Sequence, residues 1–269
     1  MHSELPLPNT QFAHHAETLA RVRTHFAAQP EVSAVLLGGS IAHGFASAQS
    51  DVDIAIVVPD EQFQDRLRRA DTCFFSRELC TYPEGYVDGK YISEAFLDQV
   101  AQRGSEPARF AFQDVQVVFN HSPTLLPRLT AAARYPSEEQ AERIRRFQAQ
   151  CSAWHWYTSE ARKRQDLPLL RTAVSKLSLF GGRLILAHNQ LLYPYHKWFL
   201  RVLEQAPQKP PELLPLMQEL ARDPQPDTAT RFVELLRAIG TWPTSSWGPQ
   251  FMIDSELTWL HGNPPIDDL

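Results

Sequence analysis

A glycine pair ends one apolar run, and a pair of aspartates opens the next, with ten residues between Ser40 and Asp51. The first run, Val32-Ser33-Ala34-Val35-Leu36-Leu37, leads into Gly38-Gly39-Ser40. It is short, apolar and partly β-branched, which reads as a buried strand entering a glycine turn. The second, Asp51-Val52-Asp53-Ile54-Ala55-Ile56-Val57-Val58, alternates, then turns wholly apolar, and stops at Pro59-Asp60. Side chains two apart on a strand share a face, so Asp51 and Asp53 point the same way. Paired carboxylates repel unless a cation joins them. A hard divalent ion suits them, and magnesium is the usual one beside phosphates. Two such ions about 3.5–4 Å apart clamp an in-line displacement at phosphorus. Gly38 and Gly39 let the backbone approach a phosphate closely. Ser40, if it opens a helix, adds free N–H groups and a hydroxyl. A phosphate cradle and a carboxylate pair on adjacent strands are what transfer from a nucleoside triphosphate requires.

The rest of the chain changes character near residue 135. Upstream, Phe12, His15, Leu19, Val22 and Phe26 recur at three and four residues, predicting a helix over Asn9–Ala28. Asp60 is expected to cap a short helix carrying Phe63 and Leu67. Tyr86 to Ile92 and Val115 to Phe119 read as two more strands, and Pro123 to about Arg134 as a helix. Downstream, Ser137-x-x-Gln140 has the pattern of a capping box. It opens a long helix with Ile144, Phe147, Cys151, Trp154 and Ala161 on one face, and the helical pattern runs on to about Gly240. The fold class expected is α+β: residues 1–135 as a short mixed sheet flanked by helices, residues 136–269 as a helical bundle domain.

Composition removes several classes. Lys and Arg number 26 against 31 Asp and Glu, a net charge of −5, which speaks against a long nucleic acid as partner. The 3 cysteines form no C-x-x-C pair, so neither a disulfide framework nor a cysteine zinc site is expected, and the 10 histidines form no zinc motif. His14 and His15 are neighbours on a helix and so are expected to face apart. The first residues lack the charged and apolar regions of a secretory signal, and no segment approaches a membrane span; a cytoplasmic protein is expected.

Gly39-Ser40-Ile41-Ala42-His43-Gly44, followed by Ser50-Asp51-Val52-Asp53-Ile54, resembles the signature of the DNA polymerase β-like nucleotidyltransferase superfamily. The motif covers about sixteen residues. The two-domain layout is similar to that of the antibiotic (aminoglycoside) nucleotidyltransferases and extends the likeness more loosely over most of the chain. His43 departs from the family, which often has a basic residue there. The resemblance implies a nucleotidyltransferase fold and magnesium-dependent transfer of a nucleoside monophosphate to a hydroxyl of a small acceptor lying between the domains. ATP is the default donor, and pyrophosphate leaves. Asp51 and Asp53 would hold two magnesium ions, and Gly38, Gly39, Ser40 and Ser50 would seat the nucleotide. A third carboxylate comes from a neighbouring strand in the family. Asp88, near the start of its strand, is preferred over Asp114, as metal ligand or as general base. Asn189 to Trp198 resembles a stretch in relatives where a helix-borne lysine reaches the triphosphate, which makes Lys197 a phosphate partner. Lys176, on an otherwise apolar helix, is a second candidate; plain solvation is the other reading of both.

Taken singly, the glycine turn is a common strand-to-helix connection and the aspartates are two solvated acids. Their conjunction at this spacing carries the functional reading. Three alternatives stand beside it. One is a nucleotidyltransferase that modifies a protein side chain or acts as an antitoxin-like partner. Another is a nucleotide-binding module without activity. The last is an α/β-hydrolase, because Gly38-Gly39-Ser40-Ile41-Ala42 nearly matches a nucleophile elbow with Ser40 as nucleophile.

Overall fold

The computed structural model describes residues 6–240, 242 and 246–262; residues 1–5, where a leader was sought, and the last part of the expected 136–269 domain lie outside them. The chain divides into two compact units, Met1–Arg134 and Tyr135–Leu269.

The first unit runs α1 (Ala13–Ala27), β1 (Ala34–Leu37), α2 (Gly39–Ala42), β2 (Val52–Val57), α3 (Asp60–Arg68), β3 (Cys73–Ser76), β4 (Val87–Ile92), α4 (Glu94–Arg103), α5 (Glu106–Phe110), β5 (Gln116–Asn120) and α6 (Leu125–Ala133). Its sheet has the order β3-β4-β2-β1-β5. Only the β2–β4 pair is parallel. Every residue of β1 is buried, and the strand has a core on each face. Val35 and Leu37 join Ile54, Ile56 and the α1 residues Leu19, Val22 and Phe26. Ala34 and Leu36 join Ala55, Val57, Leu97, Val100, Leu125 and Leu129. Burial on two faces explains an apolar run without alternation. Fully burying such a side chain is worth about 1.5–3 kcal/mol, so this strand is the mechanical centre of the unit.

Several local expectations are corrected. Pro59, not Asp60, occupies the cap position of α3, and Asp60 Oδ1 instead accepts from Ser93 Oγ at 2.6 Å. Phe63 is buried there while Leu67 is exposed. Ser93 caps α4 through Phe96 N, and Ser105 caps α5 through Ala108 N. These two helices and the edge strand β3 are absent from the sequence reading. The short α5 is built around Arg109, which is only 3% exposed. Its guanidinium donates to Gly104 O, Ala101 O and Arg134 O, joining the ends of α4 and α6.

The second unit is helical: α7 (Gln140–Lys163), α8 (Leu167–His188), α9 (Phe199–Gln205), α10 (Leu213–Arg222), α11 (Pro226–Arg237) and α12 (Trp247–Ser255). The expected capping box is not formed. Ser137 lies in a 3-10 turn, its hydroxyl donating to Gln190 Oε1. Gln140 Nε2 donates to Ala187 O at 2.9 Å, so both residues tie the start of α7 to the end of α8. Among the described residues no helix is long and apolar enough to cross a membrane.

Arg109→Met is expected to destabilise the first unit by about 3 kcal/mol, because three carbonyls lose their donor in a buried site. Denaturant unfolding measures it; a loss below about 0.5 kcal/mol, the scale of an ordinary surface change, contradicts this role.

Candidate active site

The strand register assembles the site. Asp53 of β2 stands opposite Asp88 of β4, and Ala55 opposite Lys90. Paired residues share a face, so two acids meet at one end of the sheet, with Lys90 one step further along. Asp51 immediately precedes β2. One carboxylate oxygen from each of Asp51, Asp53 and Asp88 lies within 4.8 Å of the others; Asp51 and Asp53 are half-buried and Asp88 is exposed. Asp114, the rival for third acid, is elsewhere engaged: its Oδ2 lies 3.2 Å from His43 Nδ1. The His43 ring in turn stacks on Phe110 at 4.4 Å.

The turn between β1 and α2 is pressed against these acids. Gly38 N donates to Asp53 O at 2.9 Å, extending the ladder beyond β1. Gly39 has φ +58°, and a Cβ there would collide with the Asp53 carboxylate. Glycine is thus required twice over, by conformation and by space. Ser40 sits inside the one-turn helix α2, not at its first position. Its hydroxyl is buried and has no hydrogen-bond partner in the described residues, an uncommon state for a buried polar atom. A hydrolase reading of Ser40 finds no support here. The hydroxyl lacks a histidine partner, and β1 is antiparallel to both neighbours, whereas the elbow stands at the top of an α/β-hydrolase sheet.

The loop that delivers Asp51 is fastened from behind. Ser50 Oγ accepts from Ser47 N at 2.9 Å, and Ser50 O accepts from Tyr82 Oη at 2.5 Å and from His15 Nε2 at 3.1 Å. His14 Nε2 donates to Ala48 O at 3.0 Å. The two histidines therefore converge on one loop, their rings 4.4 Å apart, which corrects the expectation that they face apart. Successive helical residues are rotated by about 100°, which separates their Cβ directions, but both rings reach carbonyls of one loop. Burial and the neighbouring His14 hold the His15 pKa below its ordinary value.

Two residues without an assigned role join the site. The Tyr86 hydroxyl lies near Asp51, and the charge of that carboxylate raises the tyrosine pKa. Lys90 reaches solvent, yet the protein around it lowers its pKa, and the charge of Asp53 works in the opposite direction. Its ammonium lies 5.2 Å from the Phe112 ring centroid. Strand alternation from Asp88 points to Lys90; nothing local in the sequence points to Tyr86.

Lys176 and Lys197 belong to the second unit. Lys176 is half-buried on α8. Lys197 is exposed in a 3-10 turn, not on a helix as expected, with its ammonium 5.1 Å from the Trp198 ring.

Chemically, three carboxylates at this range cost energy when all are ionised: about 1 kcal/mol per pair at 4 Å in water, and several-fold more as water is excluded. Their oxygens can hold a hard divalent cation, which turns the repulsion into binding energy. The glycine turn lies directly against them, with the buried Ser40 hydroxyl beside it.

Residues 19–97 match the protein family described as nucleotidyltransferase domain. No curated protein matches the chain. Among solved structures the chain is similar to a nucleotidyltransferase-like protein from Exiguobacterium sibiricum, with 13% identity and a TM-score of 0.48, over 90% of this chain and 80% of that one.

Because the folded pKa of His15 is depressed, its contribution is full above the unfolded value of about 6.5 and is lost as pH falls through the folded value. The melting temperature is therefore expected to fall on acidification below about pH 6.5. His15→Gln, which keeps a donor for Ser50 O and does not titrate, should flatten that fall. Identical pH profiles for parent and variant would contradict the assignment.

Proposed function

We propose that this chain, whose residues 19–97 are a nucleotidyltransferase domain consistent with the DNA polymerase β-like superfamily, moves a nucleoside monophosphate from a triphosphate to the hydroxyl of a small acceptor. The observation that carries the reading is the meeting of three carboxylates within 4.8 Å beside a glycine turn that has no room for a side chain. The donor set is all carboxylate oxygen, which fits magnesium and not a soft metal. The unpartnered Ser40 hydroxyl fits a phosphate oxygen.

Asp51, Asp53 and Asp88 would hold magnesium, which supplies the positive charge that offsets the triphosphate and the developing charge on the leaving oxygen. Gly38 and Gly39 bring the backbone up to the distal phosphates, and Ser40 donates its hydroxyl there. The acceptor oxygen forms a bond to the α-phosphorus. The bond from that phosphorus to the bridging oxygen breaks, and pyrophosphate leaves with the electron pair. Asp88 is exposed and has a second carboxylate oxygen, so it takes the proton from the acceptor hydroxyl. Lys90 stands one step beyond Asp53 and Asp88 on the same face, and the charge of Asp53 favours its protonated form. Tyr86 stands near Asp51, and the fastened Ser50 loop fixes the backbone from which Asp51 projects. The barrier falls mainly by positioning and charge neutralisation. ATP is the donor proposed, and an aminoglycoside-like antibiotic is one acceptor to try. The net charge of −5 favours a cationic acceptor over a long nucleic acid.

The test is pyrophosphate release from four triphosphates against an acceptor panel, with magnesium or with chelator. Release is expected with magnesium and lost on chelation. Asp51→Asn and Asp53→Asn should each lower it by about 10³-fold or more with circular dichroism unchanged, the scale of a lost electrostatic element in an active site. Ser40→Ala should lower it only about tenfold to hundredfold, the scale of one hydrogen bond to a charged group. An active Asp51→Asn/Asp53→Asn double variant would refute the proposal. So would abolition by Ser40→Ala in a protein that tolerates loss of both aspartates.

A further inference from the structure

We infer that Phe75 is the platform on which a ring-bearing acceptor, a sugar or cyclitol, stacks for transfer; this rests on the reading of the preceding subsection. Phe75 lies on the edge strand β3, directly opposite Asp88. Asp88 is opposite Asp53, and Gly38 is bonded to Asp53 O. One row therefore crosses four strands in the order Gly38, Asp53, Asp88, Phe75, with neighbouring strands about 4.8 Å apart. Phe74, pointing to the other face, packs against the core. Phe75 has no such cover and is 59% exposed. Its ring lies 5.3 Å from that of Tyr86, tilted by 33°. The Arg77 guanidinium stands 5.9 Å from the Phe75 centroid. An aromatic surface thus continues directly from the carboxylates and faces solvent.

In-line displacement decides what that surface serves. The attacking and leaving oxygens lie on opposite sides of the phosphorus. With pyrophosphate seated on the glycine turn, at one end of the row, the acceptor hydroxyl enters from the other end, over Asp88 and from the side of Phe75. A cyclic polyol suits this entrance. Its ring carbons present an apolar face to Phe75, while its hydroxyls project from the rim toward the proton-accepting carboxylate. An open-chain polyol has no such face and would gain little from the ring.

Saturation-transfer NMR on the full chain, with magnesium and a non-hydrolysable ATP analogue bound, tests this directly. The probes are kanamycin, methyl α-glucopyranoside and myo-inositol, with sorbitol as the open-chain control. At least one cyclic probe should show saturation of its ring protons beyond sorbitol. Its Kd should weaken about tenfold in Phe75→Ala, the scale of a lost apolar contact with the ring face, and return to within about twofold in Phe75→Trp. The Kd of the ATP analogue should change less than about twofold in either variant, since the nucleotide does not use the ring. Three results overturn the inference: no cyclic probe bound to the parent, an unchanged Kd in Phe75→Ala, or weakening of the nucleotide analogue alone, which would give the ring to the base. Failure of the underlying reading shows separately, as absence of magnesium-dependent binding of the analogue to the parent protein.

Discussion

Three negative groups gathered at one end of a sheet oppose one another, and the structure of the first unit is arranged to hold them there. Two of the three carboxylates are half-buried and one is exposed. The opposition is a reservoir that a hard cation releases on binding. The register that brings Asp53 opposite Asp88 sets a cost in the free state that a bound cation would offset.

The scaffold behind this arrangement is β1 and its turn. A strand buried on both faces has little freedom to slide, because a slip of one residue would exchange its two cores. Gly38 extends that strand's pairing to Asp53, and Gly39 then turns away at positive φ, so close that even a methyl group would strike the acid. On the far side of the same acids, Tyr82, His14 and His15 grip the carbonyls of the loop that presents Asp51. The backbone that carries the acids is thus fixed both by the turn after β1 and by the side chains that grip the Asp51 loop.

The sequence made part of this readable, and the reasons are physical. β1 and β2 announce themselves because their apolar patterning is strong and their ends are marked by glycine, aspartate and proline. Asp51 and Asp53 follow from strand alternation. Asp88 enters the cluster through a parallel pairing between β2 and β4, which no local pattern reveals; it was anticipated through family resemblance. β3 was missed because an edge strand of four residues, Cys73-Phe74-Phe75-Ser76, offers too few alternations to register. With it went Phe75. The short α5 was missed because its identity depends on a buried Arg109 and three distant carbonyls, not on an apolar stripe. The apparent capping box at Ser137 failed because Gln190 and the end of α8 compete for the same side chains. Lys197 had a helix expected around it and sits in a single 3-10 turn, where Tyr195 carries φ +71° just before it.

The most direct test of the central claim is anomalous diffraction from a crystal soaked with manganese and a non-hydrolysable triphosphate. The account predicts a manganese peak bound by oxygens of Asp51, Asp53 and Asp88, with the phosphate tail against Gly39 and Ser40. Carboxylates turned from one another, with no metal peak between them and the nucleotide bound elsewhere, would contradict it.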